Sequence, residues 1–169
     1  MNSEDGQKKR HDIVALAPTF NNERTVVEIV SQALKRCGSI VVIDDGSTDG
    51  TRSLLDAWKK AHPEDDVTIV RHDVNRGKAE ALKTGFELAR RAGCTHALTI
   101  DTDGQHDPDL IPDFMRASEA NPDSIILGER AISHPDYPAR SRFGRRLSDL
   151  ATRLETGTRI EDTQCGFRI

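Results

Sequence analysis

Five short apolar runs, each separated from the next by a stretch of helical period, limit what this chain can fold into more than any other feature. They are IVALA at 13–17, IVVID at 40–44, VTIV at 67–70, HALTI at 96–100 and SIILG at 124–128. Runs this short and this rich in β-branched residues predict buried strands. Between them, candidate core residues return every three or four positions: Val26, Val30, Ala33 and Cys37; then Thr51, Leu54, Leu55 and Trp58; then Ala79, Leu82, Phe86 and Ala89. Gly38 and Gly93 follow the first and third of these sets, where a left-handed residue commonly ends a helix. A fourth helix is expected from Asp107 and Pro108, with Asp107 as cap and Leu110, Ile111, Phe114 and Met115 turned to the core.

Strands alternating with helices predict an α/β fold: a mostly parallel open sheet with helices on both faces and right-handed crossovers. At 169 residues the chain is the size of one domain. Residues 1–11 read as a disordered polar tail and 12–169 as the domain. In such sheets ligands bind beyond the carboxyl ends of the strands. The segments there are PTFNNE, DDGSTDGT, RHDVNRGK, DTDGQHDP and GERAISHP.

Several function classes fit poorly. A formal net charge of −4 gives no general reason to expect a nucleic-acid partner. Cys37, Cys94 and Cys165 are odd in number and form no CxxC pair, which argues against a disulfide framework or a zinc site and suits a reducing cytoplasm. The first dozen residues lack the apolar core of a secretory leader. No run approaches the ~20 apolar residues that cross a bilayer, so peripheral contact at the cytoplasmic face of a membrane is the open alternative. Neither GxxxxGK[ST] nor GxGxxG occurs, which excludes a P-loop and argues against a dinucleotide fingerprint.

The acid clusters carry the chemistry. Asp101-Thr102-Asp103 ends an apolar strand, and residues two apart in extended backbone point the same way. Two convergent carboxylates repel unless a cation sits with them, and Mg²⁺ commonly takes one or two carboxylates with phosphate and water oxygens. Read alone, the same acids also suit a solvated turn with Asp107 capping a helix. Asp44 and Asp45 repeat the pattern at the end of the second strand, placed to accept hydrogen bonds from a base or ribose. Asp49 suits a helix cap. Lys78 follows Gly77 at a helix start, where backbone N–H groups and a point charge attract diphosphate. From Arg130 through Arg142 to Arg153 the chain turns basic, and Phe143, Leu147, Leu150 and Leu154 suggest an amphipathic helix with a basic face. Among the histidines, His106 alone is a candidate site neighbour; His72 and the others read as surface or core.

Taken in order, PTFNNE, VVIDDGSTDGT, NRGKAEALKTG, TIDTDGQHDP, the GER at 128–130 and DTQCGFR at 162–168 resemble the inverting family 2 glycosyltransferases of GT-A fold. The similarity is strongest to dolichyl- or polyprenyl-phosphate sugar transferases. It implies that Pro18, Phe20, Glu23, Asp44 and Asp45 surround the base and ribose of a nucleoside-diphosphate sugar, with Lys78 nearby. It implies Mg²⁺ or Mn²⁺ on Asp101 and Asp103 with Thr102 beside them, Gln105 near the sugar or acceptor, and Arg130 and Arg142 toward phosphate. Glu129 departs from the small residue usual before this arginine, and Arg146 stands where some relatives have serine. Members of the family also continue beyond the GFR motif, so the domain is expected to be incomplete at its C-terminal end.

The implied reaction is an in-line displacement at the anomeric carbon onto a lipid phosphate at the membrane surface. A hydroxyl acceptor would need a base instead, for which Asp162 or Glu161 is available. Two other readings use the same residues. A nucleotidyltransferase would want a Gly-rich basic loop where PTFNNE is acidic, and a non-catalytic nucleotide-binding module would keep the pocket without turnover.

Overall fold

A computed structural model describes residues 12–128 and 165–169. The N-terminal tail, the stretch read as an amphipathic helix, and Glu129, Arg130, Arg142, Arg146, Glu161 and Asp162 lie outside the described residues. Four strands, β1 (Ile13–Thr19), β2 (Ile40–Asp44), β3 (Val67–Arg71) and β4 (His96–Thr99), alternate with helices α1 (Val26–Cys37), α2 (Thr51–Ala61) and α3 (Lys78–Arg91). A short 3-10 helix (Pro108–Leu110) then leads into α4 (Ile111–Ala120). The strands are parallel in the order β3-β2-β1-β4.

Both faces of the central strands are covered, which is why they read as unbroken apolar runs. Ile13, Ala15 and Ala17 of β1, with Ile40 and Val42 of β2, join one core with α1, α2 and Trp58. Val14, Leu16, Val41 and Ile43 face the other way, onto Ala81 and Ala89 of α3. Gly38 and Gly93 both adopt positive φ just past α1 and α3, as their positions in the sequence predict. Asp107 accepts a hydrogen bond from Asp109 N (2.9 Å) and caps the turn that opens on Pro108.

Three details differ from expectation. In α3 the buried stripe is Ala81, Gly85 and Ala89, while Ala79 and Phe86 are exposed. A Cβ on Gly85 would lie 2.9 Å from Ile43 Cδ1 and 3.3 Å from Leu16 Cδ1, so the helix rides too close to the sheet for a large residue at that contact. Leu54 and Leu110 are exposed for a simpler reason: their neighbours Leu55 and Ile111 already fill the core position of the turn. Residues 124–128 are not a buried strand either, since Ile125 is 76% exposed. Ile126 and Gly128 instead pair antiparallel with Ile169 and Phe167, and Arg168 pairs with Thr99 of β4. The chain end thus lies between β4 and residues 126–128.

Pro18 marks where the sheet opens. Odd residues of β1 bond to β2, through Ala15 N to Ser39 O and Asp45 N to Thr19 O, whereas Leu16 bonds toward β4 through Ile100 N. Pro18 therefore turns its missing donor to the β4 side, beyond the last β1–β4 pair at Leu16 and Thr99. Strand order reverses between β1 and β4, and the gap that opens there is the expected place for a ligand.

Candidate active site

A cleft of about 290 Å³ occupies that gap, lined by Pro18, Thr19, Phe20, Asn22, Asp45, Asn75, Lys78, Ala81, Asp101, Thr102 and Asp103. Its floor is built on Thr102. The buried Thr102 hydroxyl meets Thr19 Oγ1 at 3.0 Å and receives Asn22 Nδ2 at 2.8 Å, while Thr25 Oγ1 donates to the Thr102 carbonyl at 2.5 Å. With the middle residue pulled inward, Asp101 and Asp103 both face the cleft. Asp103 Oδ1 also accepts from Gln105 N at 2.9 Å, closing the turn that carries it.

Asp101 sits at the centre. Lys78 Nζ lies 2.6 Å from Oδ1 and His106 Nε2 lies 3.4 Å from Oδ2. Burial raises the Asp101 carboxyl, but hydrogen bonds from His106 and Lys78 and the Lys78 charge together outweigh it and hold the group at about 2. The backbone at Gly166 seals the far side, where a Cβ would lie 2.7 Å from Asp101 Cγ.

The Asp45 wall is different in kind. His72 Nδ1 approaches Asp45 Oδ1 at 2.6 Å, and the amides of Arg76 and Gly77 donate to Oδ1 and Oδ2 at 3.0 and 2.8 Å. Burial raises this carboxyl too, and the two amides and His72 carry it below the usual range. Asp44, one residue earlier, is fully buried and does not line the cleft; its Oδ1 receives Ser47 N at 2.9 Å. Glu23 is exposed and spans to the next loop, accepting Gly50 N at 2.8 Å.

One face of this cleft is a Phe20 ring, another an ammonium, and a third a pair of carboxylates, all at the switch point of a parallel sheet. The sequence pattern of the family described as Glycosyl transferase family 2 matches residues 15–168. The chain belongs to that family.

Among relatives within family reach, a polyprenol monophosphomannose synthase of Mycolicibacterium smegmatis is 28% identical over 92% of this chain and 60% of its own length. A dolichyl-phosphate beta-glucosyltransferase of Dictyostelium discoideum is 27% identical over 91% of this chain and 52% of its own. A solved mannosyltransferase from Pyrobaculum calidifontis, in complex with GDP-Man and Mn²⁺, superposes with a TM-score of 0.59 and 25% identity over 70% of this chain and 35% of that one. The fold is the GT-A fold of family 2 glycosyltransferases. The chain thus spans a little over half the length of the two named sugar transferases.

Of the residues singled out from sequence, the structure brings Pro18, Phe20, Asp45, Lys78, Asp101, Thr102 and Asp103 to one cleft. Asp44, Glu23 and Gln105 stand outside its lining. His106 is a neighbour of Asp101, as its place in DTDGQHDP suggested. Asn22 and Asn75, which line the cleft, were not singled out, although both lie inside the quoted motifs. His72 is buried at the heart of the Asp45 cluster, and no spacing in the sequence indicated that.

The acids suit a hard divalent cation. Asp101 and Asp103 offer carboxylate oxygens to the same space, and the close approach of Lys78 shows that Asp101 attracts positive charge there. Among the described residues no three His, Cys, Asp or Glu side chains gather to enclose a metal. Two carboxylates completed by phosphate and water oxygens are the arrangement Mg²⁺ favours.

The Asp101 shift has a consequence for acid stability. Its folded carboxyl binds a proton more weakly than its ordinary value of 3.8, so its contribution is complete above about pH 4 and is lost as pH falls toward about 2. After allowance for solvent screening, the contribution is about 1–2 kcal/mol. Urea unfolding of wild type and Asp101→Asn should show the largest gap at pH 7 and a narrowing gap toward pH 3. A gap that stays constant with pH would contradict the assignment.

Proposed function

We propose that this chain carries the donor-binding part of an inverting glycosyltransferase, which moves a sugar from a nucleoside-diphosphate sugar to a polyprenyl or dolichyl phosphate. The observation that carries the reading is the meeting of Lys78, Asp101 and Asp103 with Phe20 and Asp45 around one cleft at the β1–β4 switch point. The activities for which the Mycolicibacterium and Dictyostelium relatives are named support a prenyl-phosphate acceptor, and GDP-Man with Mn²⁺ in the Pyrobaculum structure supports the donor class.

In this reading Phe20 offers an apolar surface to the base, and the Asp45 loop borders the nucleoside. Asp101 and Asp103 would hold Mg²⁺ or Mn²⁺, which when bound neutralises charge on the leaving diphosphate. Lys78 moves its ammonium from Asp101 toward phosphate oxygen as the donor enters, and so adds positive charge where negative charge develops. A phosphate acceptor is already anionic and needs little general-base help. By family resemblance Arg130 and Arg142 would meet acceptor phosphate and Gln105 the sugar or acceptor, while Asp162 would serve as base only for a hydroxyl acceptor. A prenyl-phosphate acceptor would bring the protein to a membrane surface, in this reading on the cytoplasmic side. Among the described residues no helix is long and apolar enough to cross a membrane.

The test is transfer of radiolabel from GDP-mannose or UDP-glucose to polyprenyl phosphate, read as label extracted into organic solvent. Labelled lipid with one donor is expected. A non-catalytic nucleotide-binding module, which would use the same cleft, is the second reading. Tight donor binding without transfer to lipid, saccharide or water would favour it.

A further inference from the structure

His72 has no part in the reading above, yet it is tightly held beside the cleft. It lies at the end of β3, 5% exposed, with both ring nitrogens engaged. Nδ1 is 2.6 Å from Asp45 Oδ1, and Nε2 is 3.0 Å from Thr84 Oγ1 in the second turn of α3. The Thr84 hydroxyl itself donates to the Glu80 carbonyl at 3.1 Å. One buried ring therefore ties the end of β2, the end of β3 and the body of α3 together.

What it ties matters for the cleft. Asp45 spends three of its roughly four acceptor positions on His72, Arg76 N and Gly77 N, which leaves about one for a ligand. Those two amides belong to the turn that delivers Lys78, the first residue of α3, to Asp101. A carboxylate free to rotate would satisfy the amides in several ways and would point its last acceptor position in no fixed direction. The 2.6 Å contact from a ring that is itself anchored on Thr84 removes that freedom.

We infer that His72 is a positioning residue of the nucleotide site: anchored on Thr84, it orients Asp45, which sets the Arg76–Gly77 turn and the place where Lys78 meets Asp101. This inference rests on the donor-binding reading of the cleft. His72 touches no ligand in this account and acts only through Asp45.

The experiment uses the amides that mimic each ring nitrogen. His72→Asn places a donor near the Nδ1 position, toward Asp45, whereas His72→Gln places one near Nε2, toward Thr84, and leaves Asp45 with only the Arg76 and Gly77 amides. Both lose packing of a buried ring, so a merely structural role predicts that they fall together. Binding of GDP and UDP with Mn²⁺ is measured by calorimetry on the folded chain, with circular dichroism verifying the folded fraction. Positioning predicts that His72→Asn keeps affinity within about threefold and that His72→Gln loses about tenfold, the scale of one hydrogen bond to a charged group. Thr84→Val, which frees the ring without touching Asp45, should lose a few-fold. Equal affinities for the Asn and Gln variants would overturn the inference. Absence of nucleotide binding in folded wild type would overturn the donor-site reading itself, an outcome seen before any variant is compared.

Discussion

Asp103→Asn should lower sugar transfer about 100-fold while leaving the urea midpoint close to wild type. The size follows from weakening the hold on the divalent cation that, in the proposed function, neutralises charge on the leaving diphosphate. The lack of a stability effect follows from local geometry: Asp103 is exposed, and its structural contact is Oδ1 accepting from Gln105 N, a role that an asparagine oxygen keeps. The substitution therefore isolates charge from fold. Asp107→Asn is the matched control four residues on. That carboxylate caps the turn at Pro108 and does not line the cleft, and asparagine caps equally well, so transfer should be unchanged. Comparable losses in the two variants, followed by radiolabel extraction, would contradict the assignment.

Gly166→Ala should damage stability and nucleotide affinity together. A Cβ there would overlap the Asp101 carboxylate, 2.7 Å from Cγ and 2.8 Å from Oδ1. Neither side has an easy retreat. Thr99 Oγ1 donates to the Gly166 carbonyl at 2.7 Å and Thr99 N to Arg168 O at 2.7 Å, which hold the backbone against β4. Asp101 is held in turn by Lys78 and His106, and His106 leans on Phe167 at 5.6 Å between ring centroids. Overpacking of this kind costs about 1–3 kcal/mol. Because the strain falls on Asp101, nucleotide affinity should drop together with the urea midpoint. A variant with wild-type stability and affinity would show that the chain end does not press on the site.

That coupling explains why a motif near residue 165 belongs with one near residue 101. Seen in sequence, DTQCGFR is only a terminal motif. In the fold its described residues, Cys165–Arg168, pass beside Asp101 at Gly166 and pair with Thr99 of β4 through Arg168. The alternation of strands and helices was legible because each central strand is buried on both faces, and the acid motifs were legible because they stand where those strands end. Helix phase in α3 was not. Apolar periodicity points to Leu82 and Phe86, but the contact with β1 and β2 selects Ala81, Gly85 and Ala89 for their small size. The run at 124–128 misled in a related way, since its apolar residues suggest burial while the segment pairs only along one edge, leaving Ile125 exposed.

The site was half legible for the same kind of reason. Asp45, Lys78, Asp101 and Asp103 sit in motifs whose chemistry can be named residue by residue. The division of labour among them cannot. Asp44 and Asp45 are adjacent and chemically identical, yet one is buried away from the cleft beside Arg71 while the other is wired to a loop 31 residues later in the chain. His72 lies 27 residues from its carboxylate partner, and no spacing rule connects them.

In the proposed function Asp101 and Asp103 form, with Lys78 and Asp45, a metal-assisted site for a nucleoside-diphosphate sugar. Calorimetric titration of GDP-mannose and UDP-glucose, with and without Mn²⁺, on wild type and on the Asp101→Ala, Asp103→Ala double variant tests it most directly. One donor should bind, more tightly with Mn²⁺, and its binding should disappear in the folded double variant. Donor binding that is indifferent to both the metal and the two carboxylates, or no binding of either donor to the folded wild type, would contradict it.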